Sequence, residues 1–138
     1  MAYRILTPEE AASYINHDDN VGFGGFTAAG TPKATTIALA KRAKAEHDAG
    51  RPFKIGLITG ASTNDYIDGE LSRVNAIKIR TPYQSHPDSR NLINSGEMPY
   101  YDLHLSHLSP ASAGEEFRKA PEELAWGLAF PEATRAGP

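Results

Sequence analysis

Val21-Gly22-Phe23 opens as a short apolar strand and runs directly into a glycine loop, Gly24-Gly25-Phe26-Thr27-Ala28-Ala29-Gly30. The loop ends at Thr31-Pro32-Lys33, where Thr31 is placed to cap a helix and Pro32 suits its first turn. Helix formers follow to about His47, Gly50 is placed to stop the helix, and Phe53-Lys54-Ile55-Gly56-Leu57-Ile58-Thr59 reads as a second strand. That strand enters a second small-residue turn, Gly60-Ala61-Ser62-Thr63-Asn64-Asp65. Strand, loop, helix, strand and loop make a βαβ unit, and a helical crossover of this kind joins parallel strands. The expected fold class is therefore α/β, a mostly parallel sheet with flanking helices. In such a sheet both turns lie at the carboxyl edge, where open α/β folds bind their ligands.

The flanking segments fit this frame. Upstream, Leu6-Thr7-Pro8-Glu9-Glu10 has capping-box spacing between Thr7 and Glu10, with Pro8 at the first helical position. Downstream, Tyr66 to Val74 is expected to be helical and Ala76-Ile77-Lys78-Ile79-Arg80 alternates like a third strand. Thr81-Pro82-Tyr83-Gln84-Ser85 is a third polar turn, extended at Thr81 because a proline follows. His86 to Asn94 is expected to form a short helix closed by Ser95-Gly96, and Tyr101 to Ser106 a fourth strand. In the central helix, Ile37, Leu39, Ala40 and Ala43 supply the apolar stripe, and Lys41, Arg42 and Lys44 are expected on a solvated face.

Several function classes are disfavoured at the outset. A net charge of −3 offers no electrostatic reason to expect nucleic acid or an acidic membrane surface. Without cysteine there is no disulfide, thiol nucleophile or zinc thiolate. No window approaches the roughly 20 apolar residues of a membrane span, and Met1 to Glu10 does not have the pattern of a secretory signal, so the cytoplasm is the expected compartment.

The glycine loop matches neither common nucleotide pattern. A P-loop needs Lys directly after its last glycine, where Thr31 follows Gly30, and the dinucleotide fingerprint needs a third small residue where Thr27 stands. Its backbone N–H groups are instead suited to an anionic or carbonyl oxygen. His104-x-x-His107 on a strand would point to opposite faces with no acid at ligand spacing, so no metal is expected. Ser62 and Ser85 have no His or Lys at a spacing that marks an activated serine and read as hydrogen-bond donors. Glu97 in Asn94-Ser95-Gly96-Glu97-Met98 is a candidate catalytic carboxylate, although a loop glutamate is ordinarily just a solvated acid.

Five ordered segments carry a resemblance: Gly25 to Lys33, Ile58 to Thr63, Asp68 to Leu71, Arg80 to Ser85, and Arg90 to Glu97. From about Leu6 to His107 the chain resembles the N-terminal domain of the acetyl-CoA hydrolase/transferase family, the class I CoA-transferases. The resemblance implies a ping-pong transfer of CoA between carboxylic acids through a glutamyl-CoA thioester, with CoA and acyl-CoA as substrates and no permanently bound cofactor. It implies a substrate-binding wall from Gly24, Gly25, Phe26, Thr27, Gly30, Gly60, Ser62, Thr63 and Ser85. The nucleophilic glutamate would lie on a C-terminal domain that these residues do not include, so the chain alone is expected not to turn over acyl-CoA.

Composition changes after Leu108. Residues 1–108 hold nine isoleucines and two valines, and 109–138 hold neither, which does not suit continued strands. The expected organisation is a partial CoA-transferase domain over 1–108 and an unrelated tail over 109–138, with an amphipathic candidate from Glu122 to Phe130. Truncation, frameshift and a fused tail all remain open as its origin. A half-domain of this kind is expected to self-associate through exposed apolar surface. A non-catalytic carboxylate- or acyl-CoA-binding module and, more distantly, a sugar-phosphate isomerase relative are the alternative readings.

Overall fold

The computed structural model describes residues 4–24, 27, 29–60, 63–81 and 84–102. Gly25, Phe26, Ser62, His104, His107, the boundary at 108 and the expected helix at 122–130 lie outside the described residues, as does the part of the expected fourth strand beyond Asp102.

The elements run α1 (Pro8–Ser13), β1 (Asn20–Phe23), α2 (Ala34–Asp48), β2 (Ile55–Thr59), a π-helical turn (Asp65–Gly69), α3 (Glu70–Arg73), β3 (Ile77–Thr81) and α4 (Pro87–Asn94). The strands form one parallel sheet in the order β1-β2-β3. Register runs from Asn20 opposite Gly56 to Phe23 opposite Thr59, so the first two strands end together. All three loops that follow a strand therefore emerge at one edge.

Local chemistry accounts for most element ends. Thr7 caps α1 with its hydroxyl on the Glu10 amide at 3.2 Å, and the Glu10 carboxylate answers on the Thr7 amide at 2.8 Å. At the far end of α2, Gly50 takes a left-handed conformation, φ 74°, while the Arg51 amide reaches back to the Glu46 carbonyl at 2.9 Å.

Three expectations need correction. The helix after the glycine loop begins at Ala34, not Pro32, and its cap position is Lys33, which makes no side-chain capping bond. Thr31 is buried two residues ahead of that cap position, and in the first turn the Thr36 hydroxyl donates to the carbonyls of Pro32 at 2.7 Å and Lys33 at 3.0 Å. Arg42 is not on a freely solvated face. Its guanidinium donates to the carbonyls of Ala12 at 2.8 Å and Ile15 at 2.6 Å and lies over the Phe53 ring, tying the end of α1 to α2. Lys41 and Lys44 are exposed as expected. Finally, the segment after Asn64 begins as a π-helical turn and becomes α-helical only at Glu70.

The core is continuous across these elements. Val21, Phe23, Ile55, Leu57 and Ile77 from the strands meet Leu39, Ala40 and Ala43 of α2 and Ile67 and Leu71 of the π-turn and α3. Leu39, Ile55, Leu57, Ile67 and Leu71 are completely buried, and each such side chain contributes roughly 1.5–3 kcal/mol of burial. Strand β3 departs from simple alternation. Ile55 pairs with Ile77 but Gly56 pairs with Ile79, so Lys78 is an extra residue, a β-bulge. Beyond it Ile79 is 38% exposed and Arg80 is wholly buried. After α4 the chain returns beside β3: the Arg80 amide donates to the Pro99 carbonyl at 3.1 Å and Tyr101 donates to the Arg80 carbonyl at 2.9 Å. This parallel bridge lies at the start of the expected fourth strand.

Candidate functional site at the carboxyl edge of the sheet

Beyond the ends of β1 and β2, their loops meet. Thr27 and Thr63 form a parallel bridge, so the glycine loop and the second small-residue turn are joined at that point above the strand ends. Thr27 does so at φ 53°, a left-handed conformation rare for a β-branched residue, and Gly30 follows at φ 69°. Such outliers persist only where the surroundings over-determine them, and they concentrate at ligand sites.

The surroundings here centre on one carboxylate. Asp68, in the π-turn, is fully buried and accepts four donors. The Thr63 amide reaches it at 2.8 Å and the Thr63 hydroxyl at 2.5 Å. Arg80 at the end of β3 donates through Nε at 2.8 Å and through Nη2 at 3.3 Å. The same guanidinium bonds the Thr59 hydroxyl at 2.8 Å, at the end of β2, and the carbonyl of Thr81. Neither partner of this ion pair exposes any side-chain surface. A buried pair is held in place by such added hydrogen bonds, because its Coulombic gain alone does not offset desolvation.

The π-turn is what brings Asp68 to this point. Asn64 opens it by accepting the Tyr66 amide at 3.1 Å, and the Asp68 amide then reaches the Asn64 carbonyl at 3.0 Å. π-helical turns are rare and recur at functional sites. Behind Asp68, Ser89 of α4 donates to its carbonyl at 3.3 Å and pairs with Ser72 of α3 at 2.8 Å, so α3 and α4 are anchored to the same point.

The sequence-expected residues divide into two groups. Thr27, Gly30, Gly60 and Ser85 are exposed along the edge, and Gly24 is half-buried at its base. Thr63 is buried, with its amide and hydroxyl both committed to Asp68. Gly25, Phe26 and Ser62 lie outside the described residues. Glu97 stands apart, exposed beyond the end of α4, where its carboxylate accepts the Ser95 hydroxyl at 2.9 Å. Asp68 and Arg80 were present in the segments that carried the family resemblance, but no charge pattern singled them out. Among the described residues, no group of three or more His, Asp or Glu side chains is arranged to hold a metal ion. Lys33 lies with its ammonium 4.9 Å from the centre of the Tyr66 ring, a cation at the end of the glycine loop.

The model of the acetyl-CoA hydrolase/transferase N-terminal domain matches residues 2–118. A propanoyl-CoA:succinate CoA transferase of Escherichia coli K12 is 45% identical over 104 residues, covering 75% of this chain and 21% of the relative. A succinyl-CoA:acetate CoA-transferase of Clostridium kluyveri is 40% identical, covering 77% and 19%. An acetyl-CoA hydrolase of Schizosaccharomyces pombe is 33% identical, covering 76% and 20%. The chain thus spans about a fifth of the length of the curated relatives it matches. Among solved structures, an acyl-CoA transferase from E. coli O157:H7, in a thioester complex with CoA, superposes with a TM-score of 0.58 at 17% identity. That likeness covers 76% of this chain and 22% of the other, and it shows the shared fold.

Proposed function

The chain belongs to the acetyl-CoA hydrolase/transferase family, and from that premise we propose that it supplies one wall of an acyl-transfer site in which CoA passes between short-chain carboxylic acids. The observation that carries this reading is the pairing of the first two carboxyl-edge loops at Thr27 and Thr63 above the Asp68–Arg80 pair. Transfer through a glutamyl-CoA thioester passes through tetrahedral intermediates, each of which needs fixed donors aimed at its oxyanion. The backbone amides of exposed Thr27, Ala29 and Gly30 in the glycine loop, with Gly60 and Ser85, are suited to supply such donors. Thr63 acts from behind, as a positioning residue. The nucleophilic glutamate would come from a C-terminal domain facing this wall, as the share of the relatives matched by this chain suggests.

The 138 residues alone are expected to exchange no CoA between succinate and acetate above a protein-free blank. A chimaera in which this chain replaces the matching fifth of the E. coli propanoyl-CoA:succinate CoA transferase is expected to exchange it and to gain the mass of a covalent CoA adduct with acyl-CoA. Turnover by the isolated chain, or a folded chimaera without exchange or adduct, would contradict the proposal. Exposed Tyr100 and Tyr101, with Ile79 of β3, add apolar surface that favours self-association of the isolated chain.

A further inference from the structure

Helix caps are ordinarily Ser, Thr, Asp or Asn, but the cap of α4 is an imidazole. Nδ1 of His86 accepts the Asp88 amide at 3.3 Å, with Pro87 between them at the first helical position. A ring nitrogen that accepts an N–H carries no proton, so in the neutral ring the hydrogen stands on Nε2. Nε2 in turn faces the Asp65 carboxylate of the π-turn at 3.3 Å. The His86 side chain is only 15% exposed, and it lies against Gly69, where an added Cβ would come within 3.0 Å of the ring.

The charged groups around this ring come from three elements. The π-turn contributes Asp65, α4 contributes the Asp88 carboxylate 4.0 Å from Nδ1, and α3 contributes Arg73 and Glu70. Arg73 binds both aspartates, Asp88 at 3.0 Å, and faces Glu70 at 3.6 Å. The Arg73 hydrogen bond holds the Asp65 carboxyl below the ordinary aspartate range, so Asp65 stays charged where imidazoles titrate. A second proton on the ring thus finds a carboxylate near each nitrogen, but it arrives at the nitrogen that accepts the cap bond.

We propose that His86 is a proton-operated cap, closing the start of α4 when neutral and opening it when protonated. In the neutral form the ring ties the π-turn, through Asp65, to the first turn of α4. Protonation puts an N–H on Nδ1 opposite the Asp88 N–H, and two donors repel. The Asp88 amide is released, and the new N–H turns to the Asp88 carboxylate in competition with Arg73. The cap bond is therefore made at high pH and lost as the ring gains its proton. Ser85, exposed at the carboxyl edge, directly precedes the cap, so the same proton loosens the third loop where it meets α4. The inference goes beyond the proposed function and does not depend on it, since it rests on the bonds of one ring.

The test is a titration of the 138-residue chain from about pH 8 to about pH 5, the span in which imidazole charge ordinarily changes. Nuclear magnetic resonance follows the ring nitrogens of His86 and the amide of Asp88. At the alkaline end the ring proton is expected on Nε2. As the ring titrates, the Asp88 amide signal is expected to move in step with it. Exchange of that amide with water should quicken about three- to tenfold relative to His86→Asn at the same pH, the scale of one neutral hydrogen bond. Asn keeps an acceptor at the cap and does not titrate, so the step in the Asp88 signal should vanish in His86→Asn. His86→Ala should leave the Asp88 amide fast-exchanging at every pH, with unchanged signals from the strands as the folding control. A ring proton on Nδ1 at the alkaline end would overturn the proposal without any variant. So would an Asp88 amide indifferent to the ring, or a step that persists in His86→Asn. Failure of the chimaera to exchange CoA would leave this titration intact, so the two readings fail separately.

Discussion

Arg73 and Arg80 sit close in sequence and both serve carboxylates, yet they do opposite jobs. Arg73, at the end of α3, is 47% exposed and reaches three acids: Asp65, Asp88 at 3.0 Å and Glu70 at 3.6 Å. Among the described residues Arg80 reaches one acid, Asp68, with no exposure on either side. By number of partners Arg73 looks the stronger. Physically it is the weaker, because water and salt screen every one of its pairs. Arg80 has no such substitute solvent, so its geometry is fixed by Asp68, Thr59 and Thr81 together. Burial, not the count of ion pairs, decides which arginine shapes the site.

The largest effect should come from splitting the buried pair. Asp68→Asn leaves the Arg80 charge buried without a counter-charge and should cost about 3–5 kcal/mol in denaturant unfolding. Arg80→Met alone should cost a similar amount, whereas Asp68→Asn with Arg80→Met should cost clearly less than the sum. Additive losses would mean that the two side chains do not act as a pair. Hydrogen exchange offers a local version: the Thr63 amide should be protected like the core in the parent chain and lose that protection in Asp68→Asn. A Thr63 amide that exchanges as fast as an exposed loop would break the contrast.

A smaller loss is expected at Gly56, where an added Cβ would collide with the Asn20 side chain on the neighbouring strand. Gly56→Ala should cost about 1–3 kcal/mol, and an unchanged melting curve would show that Asn20 swings aside freely.

Arg73→Gln should cost at most about 1 kcal/mol, and less still at high salt. Its clearest signature is in acid. The Arg73 hydrogen bond holds the Asp65 carboxyl below the ordinary aspartate range, against the opposing effect of burial. A carboxyl that is more acidic when folded stabilises the fold above its unfolded pKa of about 3.9, and that contribution is lost as pH falls through the folded value. In Arg73→Gln the Asp65 titration should move up towards the ordinary value. An unmoved titration would remove Arg73 as the cause.

The same contrast explains what was readable in the sequence. Apolar runs at Val21–Phe23 and Ile55–Thr59, and the cap signals at Thr7 and Gly50, are local, so the parallel sheet and the loops at its carboxyl edge could be read from them. Asp68 and Arg80 could not, because a charge in an expected helix or alternating strand ordinarily faces water. Only the bulge at Lys78 and the wide turn at Asp65–Gly69 bring the two inside, and both are set by packing rather than by a residue pattern. Arg42 was missed for a related reason: its partners are the end carbonyls of a helix far off in sequence. Thr31 misled because α2 starts only at Ala34, with Lys33 at the cap position two residues beyond it.

The decisive measurement is CoA exchange between succinate and acetate in three chimaeras carrying this chain as the N-terminal fifth of the E. coli transferase. With the parent sequence exchange is expected, and with Arg73→Gln it should stay near the parent rate. With Asp68→Asn, in protein shown to be folded, the rate should fall about a hundredfold, the scale expected when reacting groups are misplaced by about an ångström. A folded Asp68→Asn chimaera that exchanges CoA as fast as the parent would contradict the assignment of the Asp68–Arg80 pair as the support of the acyl-transfer wall.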